Sequence, residues 1–201
     1  MNNRIITISR EFGSGGRTIG RETAEKLGIP CYDAELIEKL VEATGLSKEY
    51  IIERGEYASQ GSWLANVFSD RDHNGHSIQD DLWRAQRQVI LDLAKDGPCV
   101  IVGRCADYIL REMTNCLNVF IYSDMEKRAK RIVEQYGVRD EAPEKRLRDK
   151  DKRRAAYYQF YTGMKWGVAQ NYHIALNSGV LGIDTCVEMI ALLYNRKFYE
   201  D

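Results

Sequence analysis

Short apolar runs alternate with longer amphipathic segments along the chain, and this alternation predicts a parallel sheet covered by helices. Runs rich in β-branched residues predict four core strands and a shorter fifth one, at residues 4–9, 99–102, 117–122, 172–176 and 29–32. Apolar positions at helical spacing predict helices at residues 18–27, 78–95 and 125–136. This pattern assigns the chain to the α/β class, and it leaves the order of the strands open.

Two stretches carry no strand pattern, residues 34–97 and the highly charged residues 137–163. The chain has no internal repeat or low-complexity tract, and only three of its 201 residues are proline, so no linker divides it. We therefore expect one domain over residues 1–201, with the two strandless stretches inserted into a single core.

Composition limits the classes of function. The 29 basic and 30 acidic residues leave a formal charge of −1, so no overall charge favours nucleic acid or an anionic membrane surface. The sequence has neither an apolar run of membrane-spanning length nor the pattern of a secretory signal, and a cytoplasmic protein is expected. The five cysteines are scattered without a CxxC pair, which favours reduced, buried thiols.

The stretch "EFGSGGRT", residues 11–18, lies between the first predicted strand and the first predicted helix. Its glycines allow positive φ and bring successive N–H groups within reach of phosphate oxygens, to which the helix N-terminus adds its positive dipole end. Arg17 supplies charge and Thr18 a hydroxyl for Mg²⁺. The residues expected to bind the phosphates are Gly13, Ser14, Gly15, Gly16, Arg17, Thr18 and Ile19.

This loop departs from the strict pattern G-x-x-x-x-G-K-[ST] at two positions, where it has Glu11 and Arg17. Arginine keeps the positive charge and can contact two oxygens at once. Two alternatives stay open. One is a dinucleotide-binding turn, although Thr18 stands where that fingerprint requires glycine. The other is a turn that binds no ligand.

A second candidate stretch is "VIVGRCADYIL", residues 100–110, where a buried strand ends and Arg104 and Asp107 follow. Ligands of open α/β sheets bind beyond the C-terminal ends of the strands, so both side chains are expected to point into the crevice beside the glycine loop. Arg104 could bind a second phosphate there. The alternative is an Arg–Asp ion pair on the surface.

A third candidate is the charged stretch at residues 145–166, in which seven of the ten residues from 145 to 154 are basic. Asp151 and Arg154 are one helical turn apart and share a face. The stretch could be a solvated helix, a nucleic-acid patch with tyrosines as stacking platforms, or a mobile lid that closes over phosphates. The lid is favoured because Asp149 and Asp151 interrupt the positive field that a nucleic acid would prefer.

Taken together, these stretches resemble the cytidylate kinase-like P-loop proteins. The resemblance rests on "ISREFGSGGRTIG", "CYDAELI", "VIVGRCADYIL", "NVFIYSDMEKRAKRI", "DKDKRRAAYYQFYTGMKW" and "YHIALNSGVLGID". It implies a P-loop NTPase fold of three α/β/α layers like that of the nucleoside monophosphate kinases, with a parallel five-stranded sheet. It also implies a helical acceptor-binding insert at about residues 34–97 and a lid at about residues 137–166.

The same resemblance implies an ATP-dependent phosphotransferase that uses ATP and Mg²⁺, with Thr18 at the metal, and a small nucleotide-like acceptor. No nucleic-acid or membrane partner is implied, and the oligomeric state stays open. The implied catalytic residues are Arg17, Arg104, Arg148, Asp151 and Arg154. The implied acceptor-binding residues are Asp33, Lys39, Arg104 and Asp107, while Asn177 and Ser178 are placed against the base of the donor.

Three departures from the family pattern keep a second function open. True cytidylate kinases tend to have serine where this chain has Ala34, so selection of cytosine is not implied. Glu11 and Arg17 depart from the usual phosphate loop. A regulatory P-loop protein that binds nucleotide with little or no turnover is therefore the main alternative, and a nucleic-acid-binding module is the third.

Overall fold

The computed structural model describes residues 4–54, 78–113 and 115–196. It contains one parallel five-stranded sheet whose strands run in the order β2-β3-β1-β4-β5. The strands are β1 (Ile5–Arg10), β2 (Cys31–Tyr32), β3 (Cys99–Val102), β4 (Cys116–Tyr122) and β5 (Ile174–Asn177). The predicted five-stranded parallel sheet is confirmed, and each strand differs from its predicted bounds by at most two residues.

Strand β1 is the centre of the sheet because all six of its residues are buried and it pairs with a strand on each side. Ile5 is in register with Cys99 of β3 and with Cys116 of β4. Strands covered on both faces have near-continuous apolar sequences, as the run "IITI" does here. The glycine loop, which follows β1, therefore lies at the C-terminal end of the central strand of the sheet.

Helices account for most of the remaining described residues. They are α1 (Gly16–Leu27), α2 (Ala34–Thr44), α3 (Lys48–Arg54), α4 (Ile78–Asp96), α5 (Ala106–Ile109), α6 (Met125–Tyr136), α7 (Pro143–Thr162), α8 (Ser178–Leu181) and α9 (Ile183–Asn195). The described part of the first strandless stretch forms α2, α3 and α4, and the second contains α7. The predicted helix at residues 125–136 has the bounds of α6.

Alternating side chains of β1 enter two cores on opposite faces of the sheet. Ile6 and Ile8 pack in a cluster with Ile19 of α1 and Ile190 of α9. Ile5 points to the other face and packs in a cluster that contains side chains of α2 and α4. Helices thus cover both faces, which gives the expected three-layer α/β/α architecture.

The five cysteines are all free thiols, and four of them are buried. Burial raises the pKa of the Cys31 and Cys99 thiols to about 12, so neither is a reactive thiolate at neutral pH. Among the described residues, none of the helices has the length and apolar character needed to cross a membrane.

Candidate functional site

The glycine loop connects β1 to α1 and needs its glycines for both conformation and space. Gly13 and Gly15 have φ of 78° and 82°, and Gly15 is the N-cap of α1. A Cβ atom on Gly15 would lie 2.6 Å from Cδ1 of Ile183, and one on Gly16 would lie 2.5 Å from Cβ of Arg10. Both positions therefore exclude larger residues, because side chains of neighbouring elements pack directly against the loop backbone there.

The loop forms a small cup of about 40 Å³ that also includes Arg17 and Thr18. The first N–H groups of a helix have no partner within the helix, so a cup at the start of α1 suits an anion. Ser14 is buried, and its hydroxyl donates to the carbonyl of Glu11 (2.9 Å). Ile19 donates its N–H to Gly15 O (2.9 Å), so that predicted phosphate ligand is already engaged in the helix.

Glu11, the acidic residue at the first position of the loop, has a structural partner that explains it. Its carboxylate accepts the backbone N–H of Ser123 (3.1 Å) and lies 3.5 Å from Nε of Arg128. These contacts tie the loop to the end of β4 and to α6. Partial burial raises the pKa of Glu11, while Ser123 and Arg128 act in the opposite direction. The Glu11 carboxylate thus helps to hold the loop in place against β4 and α6.

Asp151 and Arg154 of α7 also support the loop through its backbone. Asp151 Oδ1 accepts the N–H of Phe12 (2.7 Å), and its Oδ2 accepts from Nη1 of Arg128 (2.5 Å). Arg154 donates to the carbonyl of Arg10 (2.9 Å) and lies 3.9 Å from Asp151. Asp151 and Arg154 thus share a helix face, as their spacing predicts, but the shorter contact of Asp151 is to Arg128.

Two arginines of α6 that the sequence analysis did not single out hold the loop from its other side. Arg128 donates to the carbonyl of Phe12 (3.1 Å), and Arg131 donates to the carbonyl of Gly13 (2.8 Å). The two arginines are three residues apart on a helix that starts just after β4. That spacing in "MEKRAKRI", directly after a core strand, is the signal that could have identified them.

The predicted residues at the end of β5 contact the loop in different ways. Ser178 is buried; its hydroxyl donates to the carbonyl of Ser14 (2.5 Å), and the carbonyl of Tyr122 lies 3.2 Å from the same oxygen. Asn177 accepts the N–H of Gly179 (3.0 Å) and so caps α8. Ser178 therefore fastens the loop, and contact of either residue with a donor base stays a prediction.

Arg17 is paired with Asp33 in this structure. Its Nε lies 2.8 Å from Oδ2 of Asp33, which stands at the start of α2, and the Arg17 side chain is 50% exposed. The pair joins the predicted phosphate-binding charge to a predicted acceptor-binding carboxylate. An exposed ion pair contributes little to stability, so the Arg17 guanidinium can change partner at small cost in free energy.

Arg104 is held in place by a strained turn and by α4. Gly103, Arg104 and Cys105 all have positive φ, which is costly for the two non-glycine residues and is typical of functional sites. Gln86 donates to the Arg104 carbonyl (3.0 Å), and its Oε1 accepts from the guanidinium (3.4 Å). The guanidinium also donates to the carbonyl of Ile51 (3.5 Å). Arg104 thus has a fixed orientation.

The structure does not bring Asp107 into the crevice with Arg104, and this corrects the expectation of a shared site or a surface ion pair. Asp107 is only 4% exposed; it accepts from the hydroxyl of Tyr158 (2.7 Å) and from that of Ser9 (3.4 Å). Burial raises the pKa of Asp107. The hydrogen bonds from Tyr158 and Ser9 act in the opposite direction, but their effect is smaller than that of burial. The residue joins α5, β1 and α7 inside the core.

A larger cavity of about 720 Å³ lies beside the glycine loop. Six cationic and four acidic side chains are among the residues that line it. Those from α7 recur at the spacing i, i+3, i+4, i+7, so they form one face of that helix. The lining residues are Phe12, Arg17, Asp33, Ile37, Glu49, Ile52, Arg104, Tyr136, Arg139, Glu141, Arg146, Asp149, Lys150 and Arg153.

Two predicted site residues lie away from this cavity. Lys39 is exposed on the opposite side of α2 from Ile37 and lines a separate groove with Asp92. Arg148 is also exposed. Among the described residues, the arginines of α7 that line the cavity are Arg146 and Arg153. Helical phase decides both cases, because the buried side of each helix fixes which side chains face the cavity.

Strand β1, the loop and α1 have the arrangement of a P-loop protein, and the charged cavity beside the loop is typical of a phosphotransferase of the nucleotide kinase type. The chain belongs to the cytidylate kinase-like family, whose model matches residues 5–180. A relative named cytidylate kinase, from Archaeoglobus fulgidus, is 27% identical over 192 residues, which cover 92% of this chain and 91% of that protein.

Solved structures agree with this fold. An uncharacterized protein from Eubacterium ventriosum has 28% identity and a TM-score of 0.72, with 96% of this chain and 99% of that chain covered. Shikimate kinase from Bacteroides thetaiotaomicron has 15% identity and a TM-score of 0.53, with 96% of this chain and 99% of that chain covered. At that identity the second likeness supports the P-loop kinase fold alone.

Proposed function

We propose that the protein transfers a phosphoryl group from ATP to a small, nucleotide-like acceptor that carries an anionic group. One observation carries the proposal: Phe12, Arg17 and Tyr136 line both the cup of the glycine loop and the larger cavity. The two spaces therefore adjoin, as donor and acceptor sites must, with the Arg17 guanidinium at their junction. Membership of a cytidylate kinase-like family supports the same reaction class.

The residues present fit a bound triphosphate. The glycine cradle excludes Cβ atoms, the N-terminus of α1 faces the cup, and Thr18 supplies a hydroxyl that suits a hard cation. When bound, Mg²⁺ would neutralise charge on the transferring phosphates. An ionised acceptor oxygen needs little help from a base, so this chain contributes positioning and charge. Arg104 would orient the acceptor, and Arg17 would neutralise charge between the two sites.

The acceptor is proposed as nucleotide-like because relatives are named cytidylate kinase and because the cavity combines cations with the apolar side chains of Ile37 and Ile52. We do not propose cytosine as its base, since Ala34 replaces the serine of the family pattern. ATP as donor, Thr18 as the metal ligand and a cytoplasmic location belong to the same proposal.

Formation of ADP tests this function. The purified chain is incubated with ATP and Mg²⁺ and a panel of nucleoside monophosphates, and each rate is compared with the rate without acceptor. We expect at least one acceptor to raise the rate, and Arg104→Gln to lower the acceptor-dependent rate by roughly ten-fold or more because a charged hydrogen bond is lost. Rates that no acceptor raises would contradict the proposal.

The second candidate function, nucleotide binding with little turnover, is favoured by one observation. Arg17 is paired with Asp33 at 2.8 Å, so its charge is partly neutralised at the position where a phosphate loop normally offers a free lysine. For this function, ATP would bind in a titration while ADP formation stayed at the background rate with every acceptor in the panel.

A further inference from the structure

Gln86 is a fully buried polar residue in the middle of the long helix α4. Its exposed fraction is 0%, and it stands one helical turn from Leu82 and one turn from Ile90, which are buried apolar residues on the same side of the helix. An apolar residue at this position would continue that stripe, whereas burial of an amide is costly unless its hydrogen bonds are made. Packing alone therefore does not explain a glutamine here.

The hydrogen bonds of the Gln86 amide converge on Arg104. Its Nε2 donates to the main-chain carbonyl of Arg104 (3.0 Å), and its Oε1 accepts from Nη1 of the Arg104 guanidinium (3.4 Å). Nε2 also donates to the hydroxyl of Tyr157 on α7 (3.3 Å). A guanidinium only donates, so the amide oxygen has to face it, and both N–H groups of the amide have acceptors as well. One side chain thus fixes the backbone and the side chain of Arg104 together.

The backbone that Gln86 holds is strained. Gly103, Arg104 and Cys105 have φ of 77°, 58° and 55°, a left-handed conformation that is unfavourable for residues with a Cβ atom. Two such residues in succession persist only where the surrounding structure holds them. The N–H of Ala106 donates to the carbonyl of Gly103 (3.1 Å) and closes the turn at the start of α5. Gln86 ties the middle of this turn to α4.

Arg104 lies where this hold has a consequence for function. The residue is buried and lines the large cavity beside the glycine loop. Within the described part of the chain, both hydrogen bonds of its guanidinium come from Nη1, one to Gln86 and one to the carbonyl of Ile51 (3.5 Å). Without the amide of Gln86, the turn would be free to relax toward negative φ. Rotation of the backbone at Arg104 would then redirect its whole side chain.

We propose that Gln86 is a positioning residue of the acceptor site, which holds the strained turn and so sets the direction of the Arg104 side chain in the cavity wall. The word acceptor rests on the proposed function, whereas the hold of Gln86 on the turn requires neither a ligand nor turnover. Gln86 is fully buried, so it acts through Arg104 and not by contact with a substrate.

Steady-state kinetics, with an acceptor that raises the rate of ADP formation, separate this role from a general structural one. Gln86→Met keeps the length of the side chain and suits the apolar stripe, but it makes none of the three hydrogen bonds. We expect it to raise the KM for the acceptor by roughly ten-fold or more and to change the KM for ATP less than about two-fold, because only the acceptor side is misaligned. Gln88→Met is the matched control at an exposed position of α4, and it should change neither KM.

Hydrogen exchange tests the hold on the turn without turnover. Mass spectrometry compares amide exchange in residues 103–110 between the ligand-free wild type and the variants. Gln86→Met should speed exchange there by roughly ten-fold while exchange in β4 stays unchanged, and Gln88→Met should affect neither segment. Gln86→Glu is the second variant, in case Gln86→Met folds poorly. It keeps an oxygen for the guanidinium and loses the N–H for the Arg104 carbonyl, so it too should speed exchange in the turn.

The outcomes distinguish this proposal from the proposed function. An unchanged KM for the acceptor in Gln86→Met, an equal rise in both KM values, or unchanged exchange of the turn in the Gln86 variants would each overturn the assignment. If the wild type forms no ADP with any acceptor, the proposed function fails, and exchange in residues 103–110 then decides by itself whether Gln86 positions Arg104.

Discussion

At the residue scale, Arg17 decides how the glycine loop can bind charge. Its guanidinium is half exposed and paired with Asp33, so in the ligand-free protein it already has an anionic partner. A triphosphate would have to offer it a better one. Phosphate oxygens can do so, because arginine binds them bidentately and a triphosphate carries more negative charge than one carboxylate.

The first prediction concerns this side chain. We expect Arg17→Ala to weaken ATP binding by roughly 10- to 100-fold while the protein stays folded, because an exposed charge is lost and the core is untouched. Arg17→Lys should keep much of the affinity, since the backbone N–H groups of the loop provide most of the contacts. A binding titration measures both, with circular dichroism as the check on folding.

Either variant can contradict this view of Arg17. Unchanged affinity in Arg17→Ala would remove Arg17 from the phosphate site and would favour a turn that binds no ligand. Complete loss in Arg17→Lys would show that the loop requires the planar guanidinium.

At the scale of the element, α7 has two different sides. Leu147, Asp151, Arg154 and Tyr158 face the glycine loop and the core, while Arg146, Asp149, Lys150 and Arg153 line the cavity. The helix is therefore anchored to the loop at its middle. A nucleic-acid patch would need the cationic side chains of α7 on the solvent-exposed surface, whereas Arg146, Lys150 and Arg153 line the cavity. Closure of this segment as a lid over bound phosphates stays a prediction.

The anchor predicts a large loss of stability for a small chemical change. Asp151→Asn removes the anion between Arg128 and Arg154, whose side chains are 6% and 4% exposed, so we expect it to lower the free energy of unfolding by about 3 kcal/mol. Urea denaturation measures this value. ATP affinity should fall as well, because Arg128, which donates to the carbonyl of Phe12 in the loop, loses its anionic partner.

Asp149→Asn is the matched control on the same helix. Its side chain is 47% exposed and lies 4.0 Å from Lys145, so the expected change is within about 0.5 kcal/mol. Similar losses for both variants would contradict the role of Asp151 as the anchor of the loop.

At the scale of the whole molecule, Asp107 connects the sheet to the helices that surround the site. It joins Ser9 at the end of β1 to Tyr158 near the end of α7. Burial raises the pKa of Asp107, so the folded protein holds its proton more tightly than the unfolded chain does. Stability that depends on this proton is lost as pH rises through the raised pKa.

Asp107→Asn is neutral at every pH and still offers an oxygen to Tyr158, so it should not show this loss. The free energy of unfolding of the variant, relative to wild type, should therefore increase as pH rises from about 4 to about 8. Urea denaturation at several pH values measures the difference. A difference that stays constant with pH would mean that Asp107 titrates alike in the folded and unfolded states.

Much of the fold could be predicted because it depends on local patterns. Apolar runs identified all five strands, and the spacing of apolar residues in "MEKRAKRIVEQY" gave the bounds of α6. The glycine loop was identified because a strand, glycines and a helix follow one another in sequence. Ser178 and Asp151 were predicted as site residues, and in the structure both contact the backbone of the loop; their contacts with a donor or an acceptor stay predictions.

The residues that sequence reasoning misplaced share one property, which is that their position depends on packing between distant elements. Lys39 and Arg148 are near in sequence to cavity residues, yet each is turned outward by the side of its helix that packs inward. Arg128 and Arg131 were missed because their partners are carbonyls more than 100 residues earlier in the chain.

By itself, the sequence determined the class of the fold, the glycine loop and its residues, because periodicity and turn chemistry act over a few positions. Only the tertiary structure decided the strand order, the burial of Asp107 and the choice of Arg146 over Arg148 at the cavity. These depend on which faces of the helices pack against the sheet, and that packing is set by contacts between segments far apart in the chain.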